Sequence, residues 1–267
     1  MRDVTAVAGG NHAAHLAAAE ACHAADGSGR LRAFHELVAA SPASTNASAG
    51  RLSAYDHAGG VVDTRSTHPD EGSFEASQGG ALAGREGFED LWDHGRRFVY
   101  GAVNAGGMGA EPFGDFCLVF RDCGEDATDA LAVFPEDSVS RYADAVGAVD
   151  ADRAAGEATS WDDRGLLAVA ELGSDALAAS DTDWPGVVCS GRDYLEVVMA
   201  GSFPPPTLSE IRVRSSVRGE AHHYWEQAQE GVRLSARART VAAAYDVVLR
   251  WRDYQGCAIT EVPEGRP

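Results

Sequence analysis

Glu196 stands in an otherwise apolar run from Tyr194 to Met199. A carboxylate so placed turns to the polar face of a strand, sits beside a partner, or lines a cleft where it can act on a ligand. A second group of chemically able residues follows the apolar run Ala130 to Phe134: Pro135, Glu136, Asp137, Ser138 and, two positions on, Ser140. A third is the pair Arg96 and Arg97, just ahead of the β-rich run Phe98 to Val103. Between that run and the next, Phe116 to Phe120, lie Gly106, Gly107, Gly109 and Gly114, whose missing Cβ lets the backbone approach a ligand closely. An ordinary β-meander with glycine turns would leave the same pattern.

Other groups carry less chemistry. His12 and His15 lie three apart on one helical face, but no third ligand near them completes a metal set. His222 and His223 are adjacent and point in different directions along a helix. His68, Asp70 and Glu71 sit beside Pro69 and read as a solvated turn, and Glu136 and Asp137 could serve a hydrolase only with a histidine from elsewhere. No metal site is expected.

The elements that must position these residues can be outlined from periodicity. Residues 1–40 read as a helical segment, with helices over Asn11 to Ala25 and Arg30 to Ala40 broken at Asp26, Gly27, Ser28 and Gly29. Residues 41–86, with the low-complexity pieces SPASTNASAG and SQGGALAG, read as a weakly patterned linker that buries little, with a short strand at Val61 and Val62. Residues 87–260 read as the core domain: a short helix bearing Phe88, Leu91 and Trp92 and ended by Gly95, then the three β-rich runs. A helix from Arg141 to Ala155, an apolar helix or strand at Gly165 to Leu172, and a helix from Asp175 to Trp184 come next. Strands at Val187 to Cys189, Tyr194 to Met199 and Ile211 to Val213 precede a long helical pattern from Glu220 to Tyr254, with a break at Gly231. The expected fold class is α+β, with a helical N-terminal part, a strand-rich core and a closing C-terminal helix.

Composition narrows the function. The net charge is −19, from 41 acidic residues against 22 basic ones, and all 22 are arginines. Without lysine, a phosphate-binding P-loop, a protein-kinase site and a Schiff-base enzyme are excluded, because each uses an ε-amine. An acidic surface repels nucleic-acid backbones and anionic lipid. The charge also fits an acidic, non-catalytic interaction protein that covers a basic partner surface, which is the alternative to an enzyme. Five cysteines without a CxxC pair indicate free thiols in a reducing compartment, with Cys117 and Cys123 close together if their strands turn back. No run approaches the roughly 20 apolar residues of a membrane span, and MRDVTAVAGGNH has no signal core, so a cytoplasmic location, or delivery without a recognisable signal peptide, is expected.

The order of Arg97, Ser138 with Ser140, and Glu196 resembles the split arginine, serine, glutamate signature of the ADP-ribosyltransferase toxins. YGAVN (from Tyr100 and Gly101), FGDFCLVF and FPEDS are also similar to an uncharacterised bacterial family with a YGALN motif. The resemblance covers Arg97 to Val213 and implies an NAD-binding cleft between two small sheets, with NAD as substrate and an unknown macromolecular acceptor. It implies that Arg97, or equally Arg96, contacts the phosphates or ribose of NAD, that Tyr100 and Gly101 join the cofactor site, and that Ser138 and Ser140 brace the cleft. Glu196 would be the catalytic carboxylate, holding the ribose 2′-hydroxyl and stabilising an oxocarbenium-like state as the nicotinamide bond breaks. The sequence departs from the family's Glu-x-Glu or Gln-x-Glu in having Tyr194 at the first position.

Overall fold

The chain opens as helices α1 (Val4–Gly10), α2 (His12–Ala25), which is alanine-rich and free of β-branched residues, and α3 (Arg30–Ala39). The Asp3 carboxylate caps α1 by accepting from the N–H groups of Thr5 and Ala6, and Gly29, at φ 78°, turns the chain into α3. The computed structural model describes residues 1–121, 130–144, 146–190 and 193–264.

Residues 41–86 bury far more than a linker would. They hold β1 (Ala43–Ala47), every residue of which is buried, and helices α4 (Ala49–His57), α5 (Glu71–Gln78) and α6 (Leu82–Glu89). Asp70, read as part of a solvated turn, caps α5 in a reciprocal box with Ser73. The expected strand at Val61 and Val62 is a single bridge from Val61 to Phe203.

The three β-rich runs form β2 (Phe98–Val103), β3 (Phe116–Phe120) and β4 (Ala130–Phe134), but they do not make a meander. After β4 come α7 (Ser138–Tyr142), α8 (Ala151–Glu157), α9 (Arg164–Ala178) and α10 (Trp184–Val188). The single helix expected over Arg141 to Ala155 is therefore two, because the Asp144 carboxylate takes the N–H groups of Val146 and Ala148 into a turn. Likewise α10 occupies Val187 and Val188, where a strand was expected. The chain continues through β5 (Cys189–Ser190), β6 (Asp193–Tyr194), β7 (Glu196–Ala200), β8 (Leu208–Arg214), α11 (Ser215–Gln229), α12 (Ala236–Gln255) and β9 (Ala258–Val262). The fold is α+β, with helices at the N-terminal end and a long C-terminal helix, α12, followed by an edge strand that sequence periodicity did not indicate.

Where the resemblance implies two small sheets, one seven-stranded sheet runs β4-β7-β2-β1-β3-β8-β9, antiparallel except for β8 with β9, and β5 and β6 form a separate ribbon. The sheet is nonetheless weakly joined in the middle. β1 pairs with β2 only at Ala43 with Val103 and Ser44 with Ala102, whereas it pairs with β3 from Ser44 through Ala47. Beyond Ser44 the Thr45 hydroxyl donates to the Tyr100 carbonyl oxygen at 2.8 Å, replacing the missing ladder bond.

Both faces of the sheet are covered, which is why β2, β3 and β7 read as nearly continuous apolar runs. One face carries Val99, Val103, Val197 and Met199 into a large core with Phe34, Leu52, Leu167 and Val248 from the surrounding helices. The opposite face carries Phe98, Phe134 and Val198 into a smaller core with Phe88, Trp92 and Tyr142. Further along that second face the apolar filling gives way to a cavity, and Glu196 projects there, opposite Ala102 on one neighbour and Phe134 on the other.

Residues 104–115 close over the cavity and are tied to β1. The Asn46 amide donates to the carbonyl oxygens of Met108 (2.9 Å) and Gly114 (3.0 Å), and the Asn104 amide donates to the Ser44 hydroxyl at 3.1 Å. Gly114 makes this approach possible: its φ is 152°, and a Cβ there would lie 2.1 Å from the Ala47 carbonyl carbon. Gly114→Ala is therefore expected to destabilise the fold by about 3 kcal/mol through steric overlap and backbone strain, measured as a drop in the denaturation midpoint.

Candidate functional site

The cavity of about 260 Å³ lies where β1 and β2 part. Ser44, Thr45 and Asn46 line one side of it, and Val99, Tyr100 and Gly101 the other. Gly101 is a packing requirement as well as a wall residue, since a Cβ there would sit 2.3 Å from the Ser44 carbonyl oxygen. Helices α4 and α6 contribute Arg51, Tyr55 and Arg85, the loop over the cavity contributes Ala110 and Phe113, and Asp137, Val139, Tyr194 and Glu196 complete the acidic end.

Glu196 is 3% exposed, so it is not the outward-facing strand residue that the sequence also allowed. Its Oε2 accepts from the Ser138 backbone N–H at 3.1 Å, and its Oε1 lies 3.3 Å from the Tyr194 hydroxyl. The same hydroxyl is 3.3 Å from Oδ2 of Asp137, so one phenol stands between two carboxylates and can donate to either. Burial, and then the charge of Asp137, push the Glu196 carboxyl up to about 8. Burial and the same two carboxylates push the Tyr194 phenol far up, which keeps it a hydrogen-bond donor. The Ser138 hydroxyl is buried beside the Glu196 carboxylate, lowers its pKa, and falls outside hydrogen-bond geometry.

The basic wall is built on Glu89, which is 1% exposed. Its carboxylate receives Arg85 Nε at 2.7 Å, Arg65 Nη2 at 2.9 Å and the Tyr100 hydroxyl at 3.3 Å. Arg85 also lies over the Tyr100 ring, 4.8 Å from its centroid, and donates to Gln78. Arg51 is different: it is half-buried in the cavity wall, and its guanidinium has no partner among the described residues. An unpaired arginine facing a cavity of an acidic protein is a place for an anionic ligand group. Asn46 adds a second unsatisfied atom, because its Oδ1 is buried without a hydrogen-bond donor.

No protein-family model, no curated protein and no solved structure matches this chain. The site must be read from its own geometry.

The structure therefore gathers some of the sequence-predicted residues and separates others. Glu196, Tyr100 and Gly101 share the cavity wall, and Ser138 holds Glu196 from behind through its backbone. Ser140 is exposed, and its N–H serves only to close the turn onto Asp137, at 2.7 Å. Arg97 is exposed ahead of β2 and outside the cavity wall, and Arg96 pairs with Asp90 at 2.9 Å. The reason is strand length: β2 pairs Phe98 with Ala200 but Ala102 with Glu196, and four residues at about 3.3 Å each put Arg97 some 13 Å or more from the acidic end. The arginines that line the cavity are Arg51 and Arg85.

Sequence reasoning missed Arg51, Tyr55, Arg85 and Asn46 because they lie in or beside the segment that reads as a linker. The available signal was Ser44, Thr45 and Asn46 between two alanines, since β-branched and amide residues beside a helix cap at Ser48 are compatible with a strand lining a polar site. The histidine candidates disperse. His12 pairs with Asp163 at 2.9 Å, His15 meets the Thr159 hydroxyl at 2.8 Å, and His68 meets the Thr64 carbonyl oxygen at 2.9 Å. No histidine lines the cavity, and Glu136 is paired with Arg141 at 2.8 Å. No group of three or more His, Cys, Asp or Glu that could hold a metal is found among the described residues.

Cys117, Cys189 and Cys257 are buried free thiols and Cys22 is half-buried, while Cys123 lies outside the described residues. No described helix is long and apolar enough to cross a membrane.

Proposed function

We propose that this chain binds NAD and cleaves its nicotinamide–ribose bond, transferring ADP-ribose to an acceptor, with Glu196 as the catalytic carboxylate. The observation that carries the reading is the cavity at the parted seam of β1 and β2, where Glu196 is buried with Tyr194 and Asp137 at one end and two guanidinium groups stand in the wall. A carboxyl group held neutral by burial and by a second carboxylate gains most from a ligand that brings positive charge. The nicotinamide ring of NAD does so, and the charge that develops on the ribose as the bond breaks does so again.

Arg51 and Arg85 supply the forks for the diphosphate, in place of Arg97. The volume of about 260 Å³ is just below the range of about 300–1,000 Å³ for small-molecule pockets, and it suits the nicotinamide–ribose half of the molecule. Phe113, 44% exposed and set edge-on to Tyr194 with ring centroids 6.0 Å apart, offers an aromatic surface at the rim.

The direct test is calorimetric titration with NAD together with chromatographic detection of nicotinamide and of ADP-ribosylated protein. Binding and nicotinamide release are expected. Protein that neither binds nor consumes NAD at millimolar concentration would overturn the reading.

A further inference from the structure

Asp137 is a carboxylate of this cavity that no cation pairs with among the described residues. Its Oδ1 accepts from Ser140 N–H at 2.7 Å and its Oδ2 lies 3.3 Å from the Tyr194 hydroxyl. Its sequence neighbour Glu136 is held by Arg141. Asp137 is also only half-buried and lines the cavity, so a ligand can reach it. Glu196 differs in burial: its oxygens face Ser138 N–H and the Tyr194 hydroxyl much as those of Asp137 face Ser140 N–H and the same hydroxyl, but it is 3% exposed, and burial favours its protonated form. Two carboxylates with environments this different divide the work of an acid and a base. That the cavity takes a ligand at all is supported independently by Asn46, whose buried Oδ1 in the wall has no donor.

We infer that Asp137 is the general base of this site, taking the proton from the water or acceptor hydroxyl that attacks the ribose. The inference rests on the NAD reading. In the step, the bond from C1′ to the nicotinamide nitrogen breaks with its electron pair going to the ring, which leaves as neutral nicotinamide. The new bond from C1′ forms to the oxygen of water or hydroxyl, and the proton of that oxygen passes to the Asp137 carboxylate. Charge balances, since cationic nicotinamide becomes neutral as one proton is released.

The test compares wild type with Asp137→Asn, in which the amide oxygen still caps Ser140, with and without sodium azide. Azide attacks C1′ without giving up a proton, so it needs no base. Asp137→Asn is expected to bind NAD within about threefold of wild type and to release nicotinamide into water about a hundredfold or more slowly. Azide is expected to restore release, with ADP-ribosyl azide as product. Should Asp137→Asn melt early, Asp137→Ser keeps a capping oxygen and carries the same comparison. Unchanged turnover in the variant, or lost turnover that azide leaves unrestored at an unchanged melting temperature, would overturn the assignment while leaving the NAD reading intact. Wild type inert toward NAD would fail the NAD reading itself, and this inference with it.

Discussion

Glu196→Gln is expected to keep the fold and the NAD affinity of the wild type while NAD turnover falls about a hundredfold or more, a loss of about 3 kcal/mol of transition-state stabilisation. The substitution preserves shape and preserves an oxygen for the Ser138 N–H, but it removes the negative charge that the ribose cation calls for. A variant as active as the wild type would remove Glu196 from the mechanism.

The same variant carries a pH signature that depends on the fold alone. The Glu196 carboxyl is raised from an ordinary 4.5 to about 8, so the native chain keeps a proton that the unfolded chain gives up. The stability that this proton contributes is present in full below about pH 4.5, declines as the pH rises, and is lost above about 8. Glutamine has no proton to lose. Between about pH 5 and about pH 9 the melting temperature of Glu196→Gln is therefore expected to rise relative to wild type. Parallel melting curves across that range would show that Glu196 is not held neutral by its surroundings.

Glu89→Ala is expected to be the most destabilising single change near the site. Glu89 is 1% exposed and is the shared partner of Arg85, Arg65 and the Tyr100 hydroxyl. Its removal takes from the largely buried Arg85 its carboxylate partner and from Arg65 one of three, a loss of the kind that costs about 3–5 kcal/mol. In a chain of this size that corresponds to a fall of about 10 °C in melting temperature, read by calorimetry. Arg65 keeps Glu71 and Glu86 as partners, so Arg85 should be the group that moves, and NAD affinity should weaken with it. A melting temperature within about 1 °C of wild type would show that the network is not structural.

The candidate site was half legible before folding. Glu196 is legible because a charge inside an apolar run needs a reason, whereas Tyr100 and Gly101 enter only through the resemblance to the YGALN-type motif. Arg97 was misleading for a physical reason: proximity to a strand in sequence says nothing about which end of that strand the site occupies. The arginines of the cavity wall sit on helices, and nothing in the sequence distinguishes Arg51 or Arg85 from the many arginines that pair on the surface.

What the sequence by itself determined is local. The limits of β2, β3 and β4, the helices α2 and α3, and the break between α11 and α12 follow from runs of β-branched, aromatic or alanine-rich residues and from glycine, all of which act over a few positions, whereas the apolar stretch Gly165 to Leu172 reads equally as helix or strand. The absence of lysine and the excess of acid were equally plain. The tertiary structure alone decided that Ala43–Ala47 is the central strand, because its polar side chains are satisfied by Tyr100, Met108, Gly114 and Asn104, partners at least 55 residues away. It alone decided that β1 and β2 part after Ser44, and so that a cavity exists, since that depends on strand order and register. And it alone set the state of Glu196, because its carboxyl is raised by burial within the folded sheet and by the charge of Asp137, which stands 59 residues earlier in the chain.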